Sequence, residues 1–215
     1  KTLYTSAFDV GQLRMFAIDA NSGAVKALSG NGSVAGYDVR GTTAVIAQAN
    51  LASGAQLFQS DLTQGTWKAI TDVNKQALAD VRFGEYEQFS YAGAKGEKVY
   101  GYVMKPWNYK AGEKYPVAFI VHGGPQGSFA NNWSNRWNPQ TYAGAGYAVV
   151  FIDFHGSLGY GQGFTDSISQ DWGGKPLVDL KLGMAAAAKQ FSWVDSKNAC
   201  ALGASYGGFM MNWIA

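Results

Sequence analysis

The chain has 215 residues, 47% of them hydrophobic and 14% aromatic, which excludes a disordered tail and suffices for one or two packed domains. Its net charge is +2 with no run of lysine or arginine, so it lacks the electrostatic footprint of a nucleic-acid binder. No apolar run reaches transmembrane length, no signal peptide stands in these residues, and the single cysteine, Cys200, excludes a disulfide within the chain.

Lys1 to Thr5 reads as the middle of a strand, so the chain is expected to begin inside an element. Residues 1–78 then carry a repeat with an offset of 42, which lays Phe16 on Phe58, Asp19 on Asp61, Gly23 on Gly65 and Leu28 on Ile70. Each unit reads as a strand, a turn with Asp and Gly, and a second strand, with further strands such as 41–48 between. A period of about 40–45 residues built from short strands is the signature of propeller blades. Two units cannot close a ring, so the remaining blades would precede residue 1. A pair of β-hairpins in a small sandwich remains open as the other reading.

The pattern changes between residues 79 and 90, and a second domain is expected over 79–215. Glu85–Tyr91 and Lys98–Met104 predict an antiparallel hairpin. Tyr115–Val121 is an apolar strand, Gln140–Ala145 a short helix, and Tyr147–Asp153 another strand. A helix over Pro176–Gln190 starts with proline in its first turn and has an alanine-rich second half. Strands alternating with helices predict an α/β domain whose parallel strands carry the site at their carboxyl ends.

The chemistry is concentrated at Gly203-Ala204-Ser205-Tyr206-Gly207-Gly208. A G-x-S-x-G sequence is weak alone, since composition supplies it by chance in about one such chain in four. Here it follows the apolar run 199–202 and precedes a helix-compatible run, 209–215. That is the strand-turn-helix context in which a serine hydroxyl is lifted above a sheet edge. The strand Tyr115–Val121 ends in His122-Gly123-Gly124-Pro125, where a glycine-rich loop would supply oxyanion donors. The backbone N–H groups of Tyr206 and Gly124 are the candidate pair.

Serine needs a base, and the base a carboxylate, in the chain order Ser, Asp or Glu, His. The ten residues after Ser205 hold neither Asp nor His. The two triad partners are therefore expected outside these residues, with the chain read as an incomplete piece. His122 and His155 lie upstream and read as structural. Cys200, in the strand before the serine, reads as an inert buried thiol. The run Gly156–Gly161 is either a flexible turn or a substrate wall, and its spacing fails the nucleotide-binding glycine pattern. Trp133, Trp137, Tyr160 and Trp172 are aromatics that either fill the core or line a pocket for an apolar side chain. Lys175 and Asp179 read as a solvated pair on one helical face.

The stretches HGGP at 122–125, FHGSLGYGQGF at 154–164, DWGGKPLVDL at 171–180 and GASYGGFMMNWIA at 203–215 resemble the prolyl oligopeptidase family of serine peptidases, nearest its acylaminoacyl-peptidase branch. Family members place a β-propeller over an α/β-hydrolase domain. The resemblance implies an α/β-hydrolase domain, cut after the nucleophile elbow, preceded by the last propeller blades. It implies Ser205 as nucleophile and Tyr206 and Gly124 as oxyanion amides, while among the aromatics near the site Tyr160 and Trp172 are the candidate substrate contacts. The implied activity is release of dipeptides or acyl-amino acids from the N-terminus of short peptides, with no cofactor, no metal, no nucleic-acid or membrane partner, and a periplasmic location. Oligomeric state is left open. Many relatives read Asn-x-Arg-Gly-Ser where this chain has Asp153-Phe154-His155-Gly156-Ser157, which leaves any arginine role of that loop in doubt. An esterase or lipase on the same fold, and a non-catalytic binding module, remain as alternatives.

Overall fold

A computed structural model describes all residues, Lys1–Ala215. The chain divides into two compact units, one of residues 1–81 with 130–136, the other of residues 82–129 with 137–215. The sequence reading put the break after residue 78 and kept 130–136 with the second domain. Residues 130–136 cluster instead with the first unit, because the Asn131 N–H donates to the Gly11 carbonyl and its side-chain oxygen accepts the Leu51 N–H, at 2.8 and 3.0 Å.

The first unit is all β. Strands β1 (Thr2–Asp9), β2 (Gln12–Asp19) and β3 (Val25–Ala27) form one antiparallel meander. A second meander follows in β4 (Ser33–Arg40), β5 (Thr43–Asn50), β6 (Ser53–Asp61) and β7 (Thr66–Ala69). The two join through one parallel bridge, Leu13 to Ser33. The repeat read from the sequence is carried down to single hydrogen bonds. Asp19 caps its turn by accepting from the N–H groups of Asn21 and Ser22, and Asp61 accepts from the N–H and hydroxyl of Thr63. Gly23 and Gly65 close these turns at φ +73° and +72°, a region that favours glycine. Leu28 N–H bonds Met15 O, and Ile70 N–H bonds Leu57 O, each 42 residues after its counterpart. Met15, Val34 and Ile46 form the buried core, flanked by Phe58 and Trp67. Trp67 Nε1–H donates to Leu28 O at 2.8 Å, tying the second repeat to the first.

The second unit holds a five-stranded mixed sheet. Strand β8 (Tyr86–Ala92) and β9 (Lys98–Met104) form the expected hairpin, closed by a 3-10 turn at Ala94–Gly96. Strands β10 (Tyr115–Val121), β11 (Ala148–Asp153) and β12 (Val194–Gly203) are parallel, in the sheet order β12-β10-β11-β9-β8. Every residue of β11 is buried, as expected of a central strand covered on both faces. Helices α1 (Pro139–Gly144), α3 (Lys175–Gln190) and α4 (Tyr206–Ile214) follow the reading, while α2 (Gln162–Asp166) was not expected. Asn138 caps α1 by accepting from Gln140 N–H, and proline opens both α1 and α3.

Two sequence expectations are corrected. Within these 215 residues Cys200 is exposed, since no further strand of this chain lies beside β12. Apolar composition alone does not say whether a strand is covered on both faces. Asp179 is fully buried rather than solvated. Its carboxylate accepts from the Ala94 N–H at 2.8 Å, from the His155 N–H at 2.7 Å and from His155 Nδ1 at 2.6 Å. One side chain of α3 thus ties together the β8–β9 turn and the end of β11. Lys175 turns to Glu97 instead, at 3.6 Å. Removing a buried acceptor strands three donors, so Asp179→Ala is expected to destabilise the protein carrying this chain by about 3–5 kcal/mol, read from denaturant midpoints at constant m.

Candidate active site

Strands β10 and β12 are adjacent, parallel and in register, with Val121 opposite Gly203. Their carboxyl ends therefore release the loops 122–125 and 204–205 side by side. Ser205 stands between β12 and α4 with φ 56° and ψ −121°, outside the regions that L-residues ordinarily occupy. Such a conformation costs about 1–3 kcal/mol and persists only where packing enforces it.

Packing around the two glycines of the elbow supplies that enforcement. A Cβ on Gly203 would lie 2.4 Å from the backbone carbon of Gly207, and a Cβ on Gly207 would lie 2.3 Å from the carbonyl oxygen of Val121. The first turn of α4 crosses the ends of β10 and β12 at a distance only bare backbone permits. Gly207 N–H then bonds Ala204 O, and Phe209 N–H bonds Ser205 O, both at 3.0 Å, which starts the helix directly after the serine.

Ser205 is exposed and lies beside the 122–124 loop. The Cβ position of Gly123 falls 3.4 Å from Ser205 Cβ and 3.9 Å from Ser205 Oγ. Tyr206 occupies the first position of α4, where an N–H has no partner within the helix. Its phenol is directed away from the serine, donating to Trp172 O at 2.6 Å, and burial raises its pKa. Gly124 lies one residue further along the loop at φ +128°.

Beneath the loop lies a buried polar group that sequence reasoning missed. His122 bonds the Gly123 carbonyl through Nδ1 at 2.7 Å and Ser157 Oγ through Nε2 at 2.8 Å, with its ring stacked on Phe154. Asp153, the last residue of β11, accepts from Ser128 Oγ and from the Tyr160 hydroxyl, both at 2.7 Å. Burial holds the His122 imidazole below its ordinary value, opposed by Asp153 nearby, and burial raises the Asp153 carboxyl, opposed by His122 and the hydroxyl donors. A lone carboxylate ending an otherwise apolar parallel strand was the signal available for Asp153.

The remaining candidates separate. Tyr160 is half-buried, its hydroxyl taken by Asp153 and its ring stacked on Tyr100. Trp172 is 49% exposed and meets the Tyr206 ring edge-on at 5.7 Å. Trp137 is exposed, and Trp133 belongs to the first unit, beside Gly54. His155 is fully buried between Asp179 and Glu97, with Nε2 3.2 Å from Glu97 Oε2. The loop 156–161 is pinned rather than loose. Gly156 N–H bonds Phe164 O, Leu158 N–H bonds Gly127 O, and Ser157 is buried completely.

The elbow geometry makes a contrast between neighbouring glycines. Gly207→Ala is expected to abolish labelling of Ser205 by a fluorophosphonate, whereas Gly208→Ala, whose Cβ would meet nothing closer than 3.7 Å, is expected to label at near the parental rate. Gel fluorescence of the two variants against time reads the difference.

The profile of the prolyl oligopeptidase family matches residues 133–215. Dipeptidyl-peptidase 5 of Schizosaccharomyces pombe is 45% identical over 149 residues, covering 67% of this chain and 22% of that protein. The probable dipeptidyl-peptidase 5 of Aspergillus clavatus is 34% identical across 100% of this chain and 30% of its own length. This chain thus spans less than a third of the curated relatives it matches. Among solved structures, the Pyrococcus horikoshii acylaminoacyl peptidase superposes with a TM-score of 0.86 at 25% identity, over 99% of this chain and 33% of that one. The parallel strands, the elbow and the loop opposite it are those of an α/β-hydrolase domain, and over residues 133–215 the chain matches the prolyl oligopeptidase family.

Proposed function

We propose that the protein carrying this chain is a serine peptidase that releases dipeptides or acyl-amino acids from the N-terminus of short peptides. The observation that carries the proposal is the exposed Ser205 in a strained elbow beside the glycine loop that ends β10. In this reading Ser205 Oγ attacks the scissile carbonyl. The N–H groups of Tyr206 and Gly124 receive the oxygen as it becomes negative, each worth about 3–4 kcal/mol in the transition state. The base that takes the serine proton and the carboxylate that orients it come from residues outside this chain. Trp172, exposed beside the Tyr206 ring, is the favoured apolar contact for substrate. Tyr160 supports the loop through Asp153 and presents its ring rather than its hydroxyl.

The names of the relatives support the choice of peptide over ester substrates. The 42-residue repeat of antiparallel strands, with an Asp-capped turn closed by glycine in each unit, supports reading residues 1–78 as propeller blades. A periplasmic location rests on the family resemblance alone.

In the protein that carries this chain, Ser205→Ala is expected to abolish fluorophosphonate labelling and to lower kcat by about 10⁴-fold or more. Turnover of an alanyl or glycyl dipeptide amide is expected to exceed that of an acyl ester of similar size after correction for intrinsic reactivity. Folded parental protein that does not label would end the enzymatic reading. Faster ester turnover would select the esterase.

A further inference from the structure

The His122 ring is held on every side, and what it holds is a peptide plane. Its Nδ1 lies 2.7 Å from the carbonyl oxygen of Gly123. A carbonyl oxygen only accepts, so Nδ1 carries the proton and donates. Burial favours the neutral imidazole. Nε2 is then an acceptor, and the Ser157 hydroxyl 2.8 Å away donates to it. Ser157 is itself fully buried and fixed by its N–H to the Phe154 carbonyl at 2.9 Å. Phe154 stacks on the imidazole at 4.2 Å, and Phe129 meets it edge-on at 5.9 Å.

The Gly123 carbonyl shares its peptide with the Gly124 N–H. This peptide is trans, so the carbonyl and the N–H point in opposite directions, and fixing one aims the other. Glycine on both sides leaves the plane free to rotate at little steric cost. Some outside group must therefore set it. The backbone of Gly127 closes the other side of the carbonyl, since a Cβ there would come within 3.0 Å of Gly123 O.

We propose that His122 is a positioning residue for acyl transfer: its Nδ1–H holds the Gly123 carbonyl and thereby aims the Gly124 N–H at the developing oxyanion. This rests on the reading of Gly124 as an oxyanion donor. It assigns a purpose to the histidine of the H-G-G-P segment and to Ser157, neither of which touches substrate. The chain of control runs from Ser157 Oγ through the ring to the peptide.

Three substitutions separate the two ring nitrogens. Asparagine places its amide N–H near the position of Nδ1, glutamine near that of Nε2, and leucine supplies neither. In the protein carrying this chain, H122Q and H122L are expected to lose kcat by about 10- to 100-fold with KM within about 3-fold of the parent. H122N is expected to recover most of that loss. Loss of stability alone would lower the apparent kcat of all three together at unchanged KM, so the recovery in H122N is what separates positioning from folding. Folded H122Q and H122L with parental kcat, or H122N as impaired as H122Q, would overturn the proposal. If the histidine variants do not fold, S157A carries the test. Its kcat is expected to fall about 3- to 10-fold with KM held, and an unchanged kcat overturns the proposal. A peptide boronate adduct of the parent, solved by crystallography, separates the proposal from its premise. An adduct oxygen bonded to Gly124 N–H supports the premise, and one bonded elsewhere sinks premise and proposal together. Oxygen on Gly124 with undiminished kcat in H122Q sinks the role of His122 alone.

Discussion

The close crossing of α4 over the ends of β10 and β12 sets the geometry of everything around Ser205. Gly207 backbone rests against the Val121 carbonyl, and Gly203 against Gly207, at separations no side chain would allow. Only Ala204 and Ser205 separate the end of the strand from the start of the helix, and within so short a link the serine takes a positive φ. Strain at that residue is stored by packing that surrounds it, which is why the conformation is stable in the absence of substrate. The same contact fixes the distance between the two loops. Because Val121 and Gly203 pair in register, the residues that follow them emerge as neighbours, and Ser205 lies beside the glycine loop.

A second layer stiffens that arrangement. Asp153, Ser128, Tyr160, His122 and Ser157 lie at or beyond the ends of β10 and β11 and exchange hydrogen bonds with little access to water. Buried polar groups of this kind are costly when unpaired and rigid when satisfied. A third group, Asp179 with His155, secures the opposite side of the 154–161 loop to helix α3. The loop that the sequence left open between turn and wall is thus tethered at several points, and its rigidity comes from side chains distant in sequence.

Much of this was legible from residue order. The strands from Tyr115 and Ala148, the helix from Lys175 and the elbow itself carry strong local signals: apolar runs, proline at a helix start, glycines where backbone must approach backbone. The repeat was legible too, because an Asp-capped turn needs the same few residues each time it occurs. What escaped were features decided by tertiary context. Asp179 has helical spacing from Lys175, yet the carboxylate is claimed by the backbone of Ala94 and His155, 85 and 24 residues away. Asp153 and Ser157 acquire partners only once β10 and β11 lie side by side.

The indole hydrogen bond from Trp67 to Leu28 has a meaning beyond the turn chemistry it accompanies. It links corresponding parts of consecutive repeats, and Met15, Val34 and Ile46 are packed between the same two segments. In a linear array whose members touch only their neighbours, cooperativity is the sum of such joints. Each repeat then lends its neighbour a share of its own resistance to melting, so a lesion in one turn would be felt as fraying across the joint rather than as damage confined to a single hairpin.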